Sequence, residues 1–411
     1  MKRRISVKYT TIADWLIVFG ILNYAGPFAS YNGSLLYIGI VGMVLILFLN
    51  SNFFYERKNI LIWKLCIAYF CLNSLLNLPR SLKYILIIVV GYLIIQRKID
   101  NTDCKSVYRI CKTVAIIESV SIIIQKYLPD LFYPLAQKWF FYSDQYEFVR
   151  YAGTYSKQFS GLCYEVSFAA IVCAIGITIC FVEFLFTQSK KKRITNLIFI
   201  LIAYFSIFLT GKRSVVLTIP IVLIFIYFVF ARKQMNVKTI IFTLLLLFAA
   251  IFAMPTIYDW VLSVLSRGTG HGIQLTQRGE FWALAFEMFK ENPITGLGLN
   301  SFDVRFNLSG IRPIYYDFAG AHNSYIQLLG ETGIIGIILF LGAIMTSIKK
   351  AISFSDYNKD NVMYVLISLG ILFALMIYAL TGNSFYQPQQ LLCVCWCVAV
   401  IENITAQSSR G

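Results

Sequence analysis

The stretch GAHNSYIQLLGETGIIGIILFLG spans residues 320–342 and decides the fold, because it combines polar side chains with a run long enough to cross a bilayer. A membrane span needs about 20 predominantly apolar residues, and polar groups inside one are costly unless they face protein or water. Asn323, Gln327 and Glu331 lie four residues apart and therefore form one stripe on a helix. We expect this stripe to face a wet cavity rather than lipid.

The composition of the whole chain indicates a polytopic membrane protein. Of its 411 residues, 58% are hydrophobic and only 14% are charged, whereas a soluble domain has about a quarter charged residues. The mean hydropathy is +0.70. Twelve stretches have the length and apolar character of spans: residues 12–30, 35–50, 60–78, 84–96, 107–128, 161–187, 194–210, 214–231, 238–257, 324–348, 361–380 and 387–402.

Basic residues between these runs predict the topology. They cluster in short connections that share one side with the N-terminal KRR, and the positive-inside rule makes that side the cytoplasm. Two long connections, residues 129–160 and 258–322, then lie outside. The net charge of +16 is scattered over these connections rather than gathered in one basic domain, which disfavours nucleic acid as a partner. The basic connections are residues 56–59, 96–105, 190–193, 231–238 and 349–350.

The sequence therefore predicts an all-α polytopic protein of about twelve transmembrane helices, with residues 1–411 forming a single integral membrane domain. Its larger outer loop contains QRGEFWALAFEMFKENP (residues 277–293), in which apolar residues recur at helical spacing before Asn292 and Pro293 end the pattern. We expect a short helix here at the outer membrane surface.

Nothing in the sequence favours a cofactor or a metal. A phosphate-binding GxxxxGK[ST] loop is missing, and GLGLNS (residues 296–301) lacks the third glycine of a dinucleotide loop. The cysteines lie mostly inside apolar runs, as small core residues do. His271 and His322, the two histidines, have no acidic or cysteine partners at zinc-ligand spacing.

Unusual polar residues map instead to the predicted outer face. Lys212 and Arg213 lie in a short turn, where a guanidinium can bind phosphate oxygens through two hydrogen bonds; the alternative is a snorkelling side chain at a helix end. Arg278 opens the predicted surface helix, whose N-terminal amides favour an anion, although simple solvation also explains it. Glu118 lies within a span, and no partner for it is identifiable.

His322 is the candidate general base of this face, because an unperturbed imidazole has a pKa of about 6.5 and accepts a proton near neutral pH. The alternative makes His322 an interfacial residue and Asn323 the N-cap of the following helix.

The order and spacing of four motifs resemble the O-antigen ligase and polysaccharide polymerase superfamily of bacterial inner membranes. The third and fourth motifs, in chain order, are the most specific. They contain an Arg and a Trp, then Asn-Pro and GxG, then His-Asn and Glu-x-Gly, a combination that is rare. Val166 departs from the Gly-x-x-x-Glu-Pro pattern around Glu165, because it replaces the proline. Arg150 precedes Gly161 at a spacing similar to an Arg-x10-Gly pattern of polymerases. The motifs are FSGLCYEVSFAA (159–170), LTGKRS (209–214), QRGEFWALAFEMFKENPITGLGLNSF (277–302) and AHNSYIQLLGETGIIG (321–336).

This resemblance implies a glycosyltransferase of the bacterial cytoplasmic membrane with its active site on the extracytoplasmic side. Such an enzyme moves a glycan from undecaprenyl diphosphate to an acceptor sugar hydroxyl, without nucleotide sugar or metal. The implied partners are the lipid-linked oligosaccharide, an acceptor glycan, membrane lipids, and flippase and chain-length regulator proteins. The implied catalytic residues are His322, Arg213 and Arg278, and the candidate substrate-binding residues are Arg150, Lys212, Glu165, Trp282, Asn323, Gln327 and Glu331.

Three functions stay open at this point. Polymerisation of O-antigen, capsular or exopolysaccharide repeats is favoured, because the two outer loops suit two glycan grooves. A ligase differs from it only in its acceptor, such as a lipid A core. A twelve-span transporter of an anionic or lipid-linked substrate would instead show internal repeats and discontinuous helices at mid-membrane.

Overall fold

The computed structural model describes residues 60–78, 80–141, 143–232, 273–311 and 320–408. This part of the chain forms thirteen α-helices and no β-strand. The predicted spans 12–30, 35–50 and 238–257 lie outside it. The helices are α1 (Leu61–Ser74), α2 (Leu82–Gln96), α3 (Asn101–Tyr127), α4 (Pro129–Trp139), α5 (Ser143–Thr154), α6 (Val166–Phe186), α7 (Lys190–Thr210), α8 (Arg213–Ala231), α9 (Ile273–Glu291), α10 (Ser301–Leu308), α11 (Ser324–Ser353), α12 (Lys359–Tyr378) and α13 (Pro388–Ser408).

Six of these helices are long and apolar enough to cross a membrane, namely α6, α7, α8, α11, α12 and α13. The predicted all-helical, multi-pass membrane class is therefore confirmed. The total of twelve spans is not, because α1 and α2 are apolar but shorter. The described helix α3 is long enough yet carries many polar residues.

Two helix ends differ from the predicted bounds for local reasons. α3 begins at Asn101 rather than near residue 107, because Asp100 and Asp103 form a reciprocal capping box at its first turn. α6 begins at Val166 rather than at residue 161, because Gly161 and Leu162 donate their backbone amides to side chains of α3 instead of entering a helix.

The buried and exposed faces separate the central helices from the outer ones. Within their apolar windows, α6 is 72% buried and α13 is 83% buried, whereas α7 is only 33% buried. The exposed side chains of α7 include Leu197, Leu201 and Phe205. Such a surface suits contact with lipid, where apolar side chains carry no penalty.

Helix α11 is interrupted at Gly333, whose φ of 62° and ψ of −169° are not helical. The loop after α9 fills the interruption: Ile334 donates its backbone amide to Pro293 (2.9 Å), and Gly298 donates to Glu331 (2.9 Å). A Cβ on Gly333 would lie 2.3 Å from the carbonyl oxygen of Ile294. The residue is therefore glycine because the backbones meet there.

The first predicted outer loop, residues 129–160, is largely helical, because it contains α4 and α5. Phe132 and Ala136 of α4 pack with Tyr146 and Val149 of α5 in a small separate core. Another face of α4 leaves Leu131, Leu135 and Trp139 exposed. The many aromatic residues of this short segment obscured the helical spacing that would have predicted α4 and α5 from the sequence.

Candidate active site

A tight turn between α7 and α8 positions the first two candidate cations. Gly211 has a left-handed φ of 71° and ends α7, and Lys212 and Arg213 follow as the N-cap and first residue of α8. No side chain caps this helix end. The positive end of the α8 dipole adds a favourable field for an anion to the two side-chain charges. Lys212 and Arg213 are both half-buried.

His322 lies in the segment before α11 and has an unusual backbone conformation, with φ at 51°. Its neighbour Ala321 is held on both sides: the Trp282 indole donates to its carbonyl oxygen (2.8 Å), and its amide donates to Gln327 (3.1 Å). The imidazole lies 6.3 Å from the ring of Phe281, between ring centroids. A non-glycine residue at positive φ persists only where its surroundings hold it, which is common at functional sites.

The pKa values of His322 and Lys212 indicate that several of the predicted site residues are neighbours. Burial, together with the positive charges of Arg278 and Lys212, lowers the pKa of His322 to about 4. Burial likewise lowers the pKa of Lys212, an effect that nearby Glu165 opposes and Arg278 reinforces. The charges of Lys212, Arg278 and Glu165 and the imidazole of His322 therefore lie close enough to influence one another, and we call this half-buried group the cationic cluster. It holds a neutral imidazole at physiological pH.

The position of Arg278 differs from the prediction in one respect. Helix α9 begins at Ile273, so Arg278 lies in its second turn rather than opening it. No glycine or proline separates residues 273 and 278, and the helix therefore continues back past the arginine. The same helix ends at Glu291 before Asn292 and Pro293, as predicted.

The polar stripe of α11 faces protein rather than an open cavity, in contrast to the expectation. The Glu331 carboxyl group is fully buried and accepts hydrogen bonds from the backbone amides of Asn300 (2.9 Å) and Phe302 (3.1 Å) and from the Tyr386 hydroxyl (2.9 Å). Gln327 donates to it at 3.3 Å. These contacts fix the GLGLNS segment against the helix, and a direct contact of Glu331 or Gln327 with substrate stays a prediction.

Asn323 caps α11, because its side chain accepts from the amides of Tyr325 (3.0 Å) and Ile326 (3.2 Å). The alternative that the sequence left open for this residue is thus confirmed. Trp282 similarly uses its indole to hold the backbone of Ala321. Both residues position His322, and their contact with substrate is untested.

Glu118, the buried carboxyl group without an assigned partner, holds the segment that leads to Glu165. It accepts from the backbone amide of Leu162 (3.2 Å), and Gln125 accepts from that of Gly161 (2.8 Å). Gly161 has a φ of 58°, and a Cβ on it would lie 2.6 Å from the Glu118 carboxyl oxygen. Sequence spacing could not reveal this contact, because the partners are 44 residues apart.

Arg150 lies on the exposed surface of α5, near Tyr133. No contact in the described part of the chain joins it to the cationic cluster. Its predicted role in substrate binding stays a prediction.

Tyr386 and the segment between α12 and α13 were missed by sequence reasoning. The Ser324 amide donates to the carbonyl oxygens of Ala379 (2.9 Å) and Gly382 (3.1 Å), so this segment supports the start of α11. The one available signal was the polar interruption TGNSFYQPQQ (residues 381–390) between two apolar runs.

The Glu331 contacts predict a large loss of stability for Glu331→Ala. The substitution leaves two buried amides and a hydroxyl unpaired, and each such group costs about 1–3 kcal/mol. The thermal unfolding midpoint of the purified protein in detergent should fall by several degrees. Glu287→Ala, at an exposed position of α9, is the matched control and should leave it unchanged. An unaltered midpoint for Glu331→Ala would show that these hydrogen bonds do not hold the loop.

Comparison with known proteins agrees with this arrangement. Residues 197–341 match the family model Wzy_C, described as O-Antigen ligase. The matched segment includes the cationic turn, Arg278, His322 and the interrupted part of α11. No curated protein matches the chain. The match supports the resemblance expected from the motifs: residues 197–341 of this multi-pass membrane protein are similar to the O-antigen ligase family.

Proposed function

We propose that the protein is a membrane glycosyltransferase that transfers a glycan from undecaprenyl diphosphate to a sugar hydroxyl. The observation that carries this proposal is the convergence of Lys212, Arg278 and an uncharged His322 in one half-buried cluster. Cations in a partly dry site stabilise a leaving diphosphate strongly, because its negative charge grows in the transition state. A neutral imidazole beside them is able to accept the proton of the attacking hydroxyl.

The proposed transfer balances as a single displacement. The acceptor oxygen forms a bond to the anomeric carbon of the donor sugar as the bond from that carbon to the diphosphate oxygen breaks. The electron pair leaves with undecaprenyl diphosphate, and Arg213, Arg278 and Lys212 offset its charge. His322 takes the hydroxyl proton. The activation energy is carried by the lipid-linked donor, so a nucleotide sugar is unnecessary outside the membrane.

Polymerisation of repeat units is the reaction we favour, with ligation to a lipid A core or another surface anchor as the alternative. The two outer segments, residues 129–160 and 258–322, suit two glycan chains on either side of one site. Flippase and chain-length regulator proteins are the expected partners of such a polymerase, and the bacterial cytoplasmic membrane is its expected location.

Deletion of the gene followed by gel analysis of surface and lipid-linked glycans distinguishes the two reactions. Loss of a polymerase leaves single repeats on the surface anchor or on lipid. Loss of a ligase leaves long chains attached to lipid. Normal surface and lipid-linked glycans after deletion would contradict both.

A transporter of an anionic substrate is the second candidate, and the interruption of α11 at Gly333 is the observation in its favour. The interruption is nevertheless filled by the backbone of residues 293–298 of the same chain. This closed arrangement leaves its backbone groups paired within the protein. We therefore rank transport below glycosyl transfer.

The proposal requires the cationic cluster to face away from the cytoplasm. Reporter fusions near residues 140 and 290 should accordingly be active outside, and fusions near residue 192 in the cytoplasm, because Lys190, Lys191, Lys192 and Arg193 open α7. Paired alkaline phosphatase and fluorescent protein fusions measure both sides. A cytoplasmic residue 290 would remove the site from the side where lipid-linked glycans are joined.

The lowered pKa of His322 predicts an unusual pH profile. A base works only when unprotonated, and a folded-state pKa of about 4 keeps the imidazole neutral until the pH falls close to that value. The plot of kcat/KM should therefore show no His322 limb between pH 7 and 5. Bound diphosphate offsets the charges of Arg278 and Lys212, so the limb in kcat should lie at higher pH than the limb in kcat/KM. The pH profile of His322→Gln is measured in parallel, because it contains the ionisation of the donor but not that of His322. The difference between the two profiles is therefore due to His322. A kcat/KM limb near 6.5 that disappears in this variant would contradict the combined effect of burial and the two cations on the pKa of His322.

A further inference from the structure

An exposed aromatic pair lies at the end of α5, outside the cluster described above. The rings of Tyr151 and Tyr155 lie 4.8 Å apart between centroids at an interplanar angle of 34°. The two residues are 55% and 72% exposed, although large aromatic side chains normally bury most of their surface. Two adjacent exposed aromatic side chains indicate a surface that contacts a ligand or lipid.

The helix beneath the pair is firmly seated. Ala152 is buried, and a Cβ on Gly153 would lie 2.3 Å from the Tyr133 hydroxyl oxygen of α4. Tyr155 donates its amide to the carbonyl oxygen of Tyr151 (2.9 Å), which continues the helical turn past the end of α5. The two rings are thus presented from a fixed backbone rather than from a free loop.

The surroundings of the pair are polar, which favours a water-soluble ligand over lipid. Arg150, Ser156 and Lys157 are exposed beside the two tyrosines. The exposed face of α4 is different, since it presents Leu131 and Leu135 in the manner of an interfacial helix. The tyrosine pair combines aromatic faces with hydrogen-bond donors, the two groups that a sugar ring can use.

The chain after the pair leads directly to the cationic cluster. Gln158 packs against Gly211, where an added Cβ would lie 3.0 Å from the Gln158 Cγ atom. Phe159 donates its amide to the carbonyl oxygen of Leu209 (3.1 Å). Gly211 immediately precedes Lys212, so only a few residues of chain separate the aromatic pair from the site of the leaving diphosphate.

We propose that Tyr151 and Tyr155 form a glycan-binding platform that stacks a pyranose ring of the substrate. One face of a pyranose carries polarised C–H groups, which are attracted to the negative face of an aromatic ring. Arg150 and Lys157 supply donors to the ring hydroxyls and to any carboxylate of an acidic sugar. This inference rests on the proposed glycosyl transfer and adds to it the residues that hold a sugar away from the reacting atoms.

Steady-state rates of Tyr151→Ala, Tyr155→Ala and the corresponding Phe variants test the platform. Purified protein is assayed with the host's lipid-linked oligosaccharide and with acceptor glycan, and each concentration is varied in turn. Each Ala variant should raise one KM by about threefold to tenfold, the size expected for one aromatic contact, with kcat unchanged. The Phe variants should raise the same KM less than the Ala variants do, because they keep the aromatic ring and lose only the hydroxyl group. A raised acceptor KM places the acceptor on the platform, and a raised donor KM places the donor glycan there.

Two controls separate the possible failures. Tyr357→Ala, at a fully exposed tyrosine between α11 and α12, should change neither constant. Unchanged KM values in both Ala variants would overturn the platform, and a fall in their membrane content at unchanged KM would identify the pair as a lipid anchor instead. If Arg213→Lys still reduces the rate in the same assay, the proposed transfer survives that outcome. If Arg213→Lys has no effect either, glycosyl transfer at this cluster is wrong.

Discussion

Replacing His322 with alanine should lower turnover by about 10²-fold to 10⁴-fold, the usual contribution of a positioned general base. His322 precedes α11, and its segment is held through the backbone of Ala321 rather than through the imidazole. The variant should therefore reach the membrane in normal amounts. Initial rates with the lipid-linked donor, divided by the quantity of protein in the membrane, measure the effect.

The backbone at His322 requires a second variant. Its φ of 51° lies in the left-handed region, which alanine adopts less readily than asparagine. His322→Asn preserves the backbone conformation but has no group that accepts a proton near neutral pH, and it should be as inactive as His322→Ala. An active His322→Asn beside an inactive His322→Ala would mean that the conformation, rather than the base, is what matters. Full activity of both variants would remove His322 from the mechanism.

Arg213→Lys and Arg278→Lys should each lose much of the activity although they keep the charge. A guanidinium binds a diphosphate through two parallel hydrogen bonds, whereas an ammonium group acts as a point charge. Loss of one charge-assisted hydrogen bond costs about 1.5–3 kcal/mol, which corresponds to roughly 10-fold to 150-fold in rate. The rates are measured at saturating acceptor, so that changes in donor handling dominate.

Arg193→Lys is the matched control for these two substitutions. Arg193 lies in the first turn of α7 at the predicted cytoplasmic side, where it donates to the carbonyl oxygen of Thr187. Its replacement should leave the rate unchanged. If Arg213→Lys and Arg278→Lys were as active as wild type, neither arginine would bind the diphosphate through paired hydrogen bonds. Their charges would then serve only membrane topology or solvation.

Hydrophobic patterning and capping residues were sufficient to predict much of the fold. The apolar runs from residue 161 onwards locate the helices α6, α7, α8, α11, α12 and α13, and Asn292 with Pro293 locates the end of α9. These features are local, because helix length and termination depend on residues within one or two turns. The number of spans in the whole chain is a different question, since it includes residues outside the described part.

The environment of the polar residues could not be predicted in the same way. Glu331 was placed on the correct helix face, but its partners Asn300 and Phe302 are about 30 residues away in a loop. Glu118 likewise depends on the backbone of Leu162. A buried carboxyl group must find partners, yet periodicity does not say whether they are substrate, water or backbone. The proximity of Lys212, Arg278 and His322 was predicted better, because all three residues map to one predicted face of the membrane.

The most direct test of glycosyl transfer is a reconstituted reaction that measures both products. Purified protein is mixed with undecaprenyl-diphosphate-linked oligosaccharide and acceptor glycan, without nucleotide sugar, and mass spectrometry quantifies released undecaprenyl diphosphate and extended glycan. We expect the two products in equal amounts, with both reduced together in Arg278→Lys and His322→Asn. Movement of intact lipid-linked oligosaccharide across proteoliposome membranes, with no undecaprenyl diphosphate released, would contradict glycosyl transfer and identify the protein as a transporter.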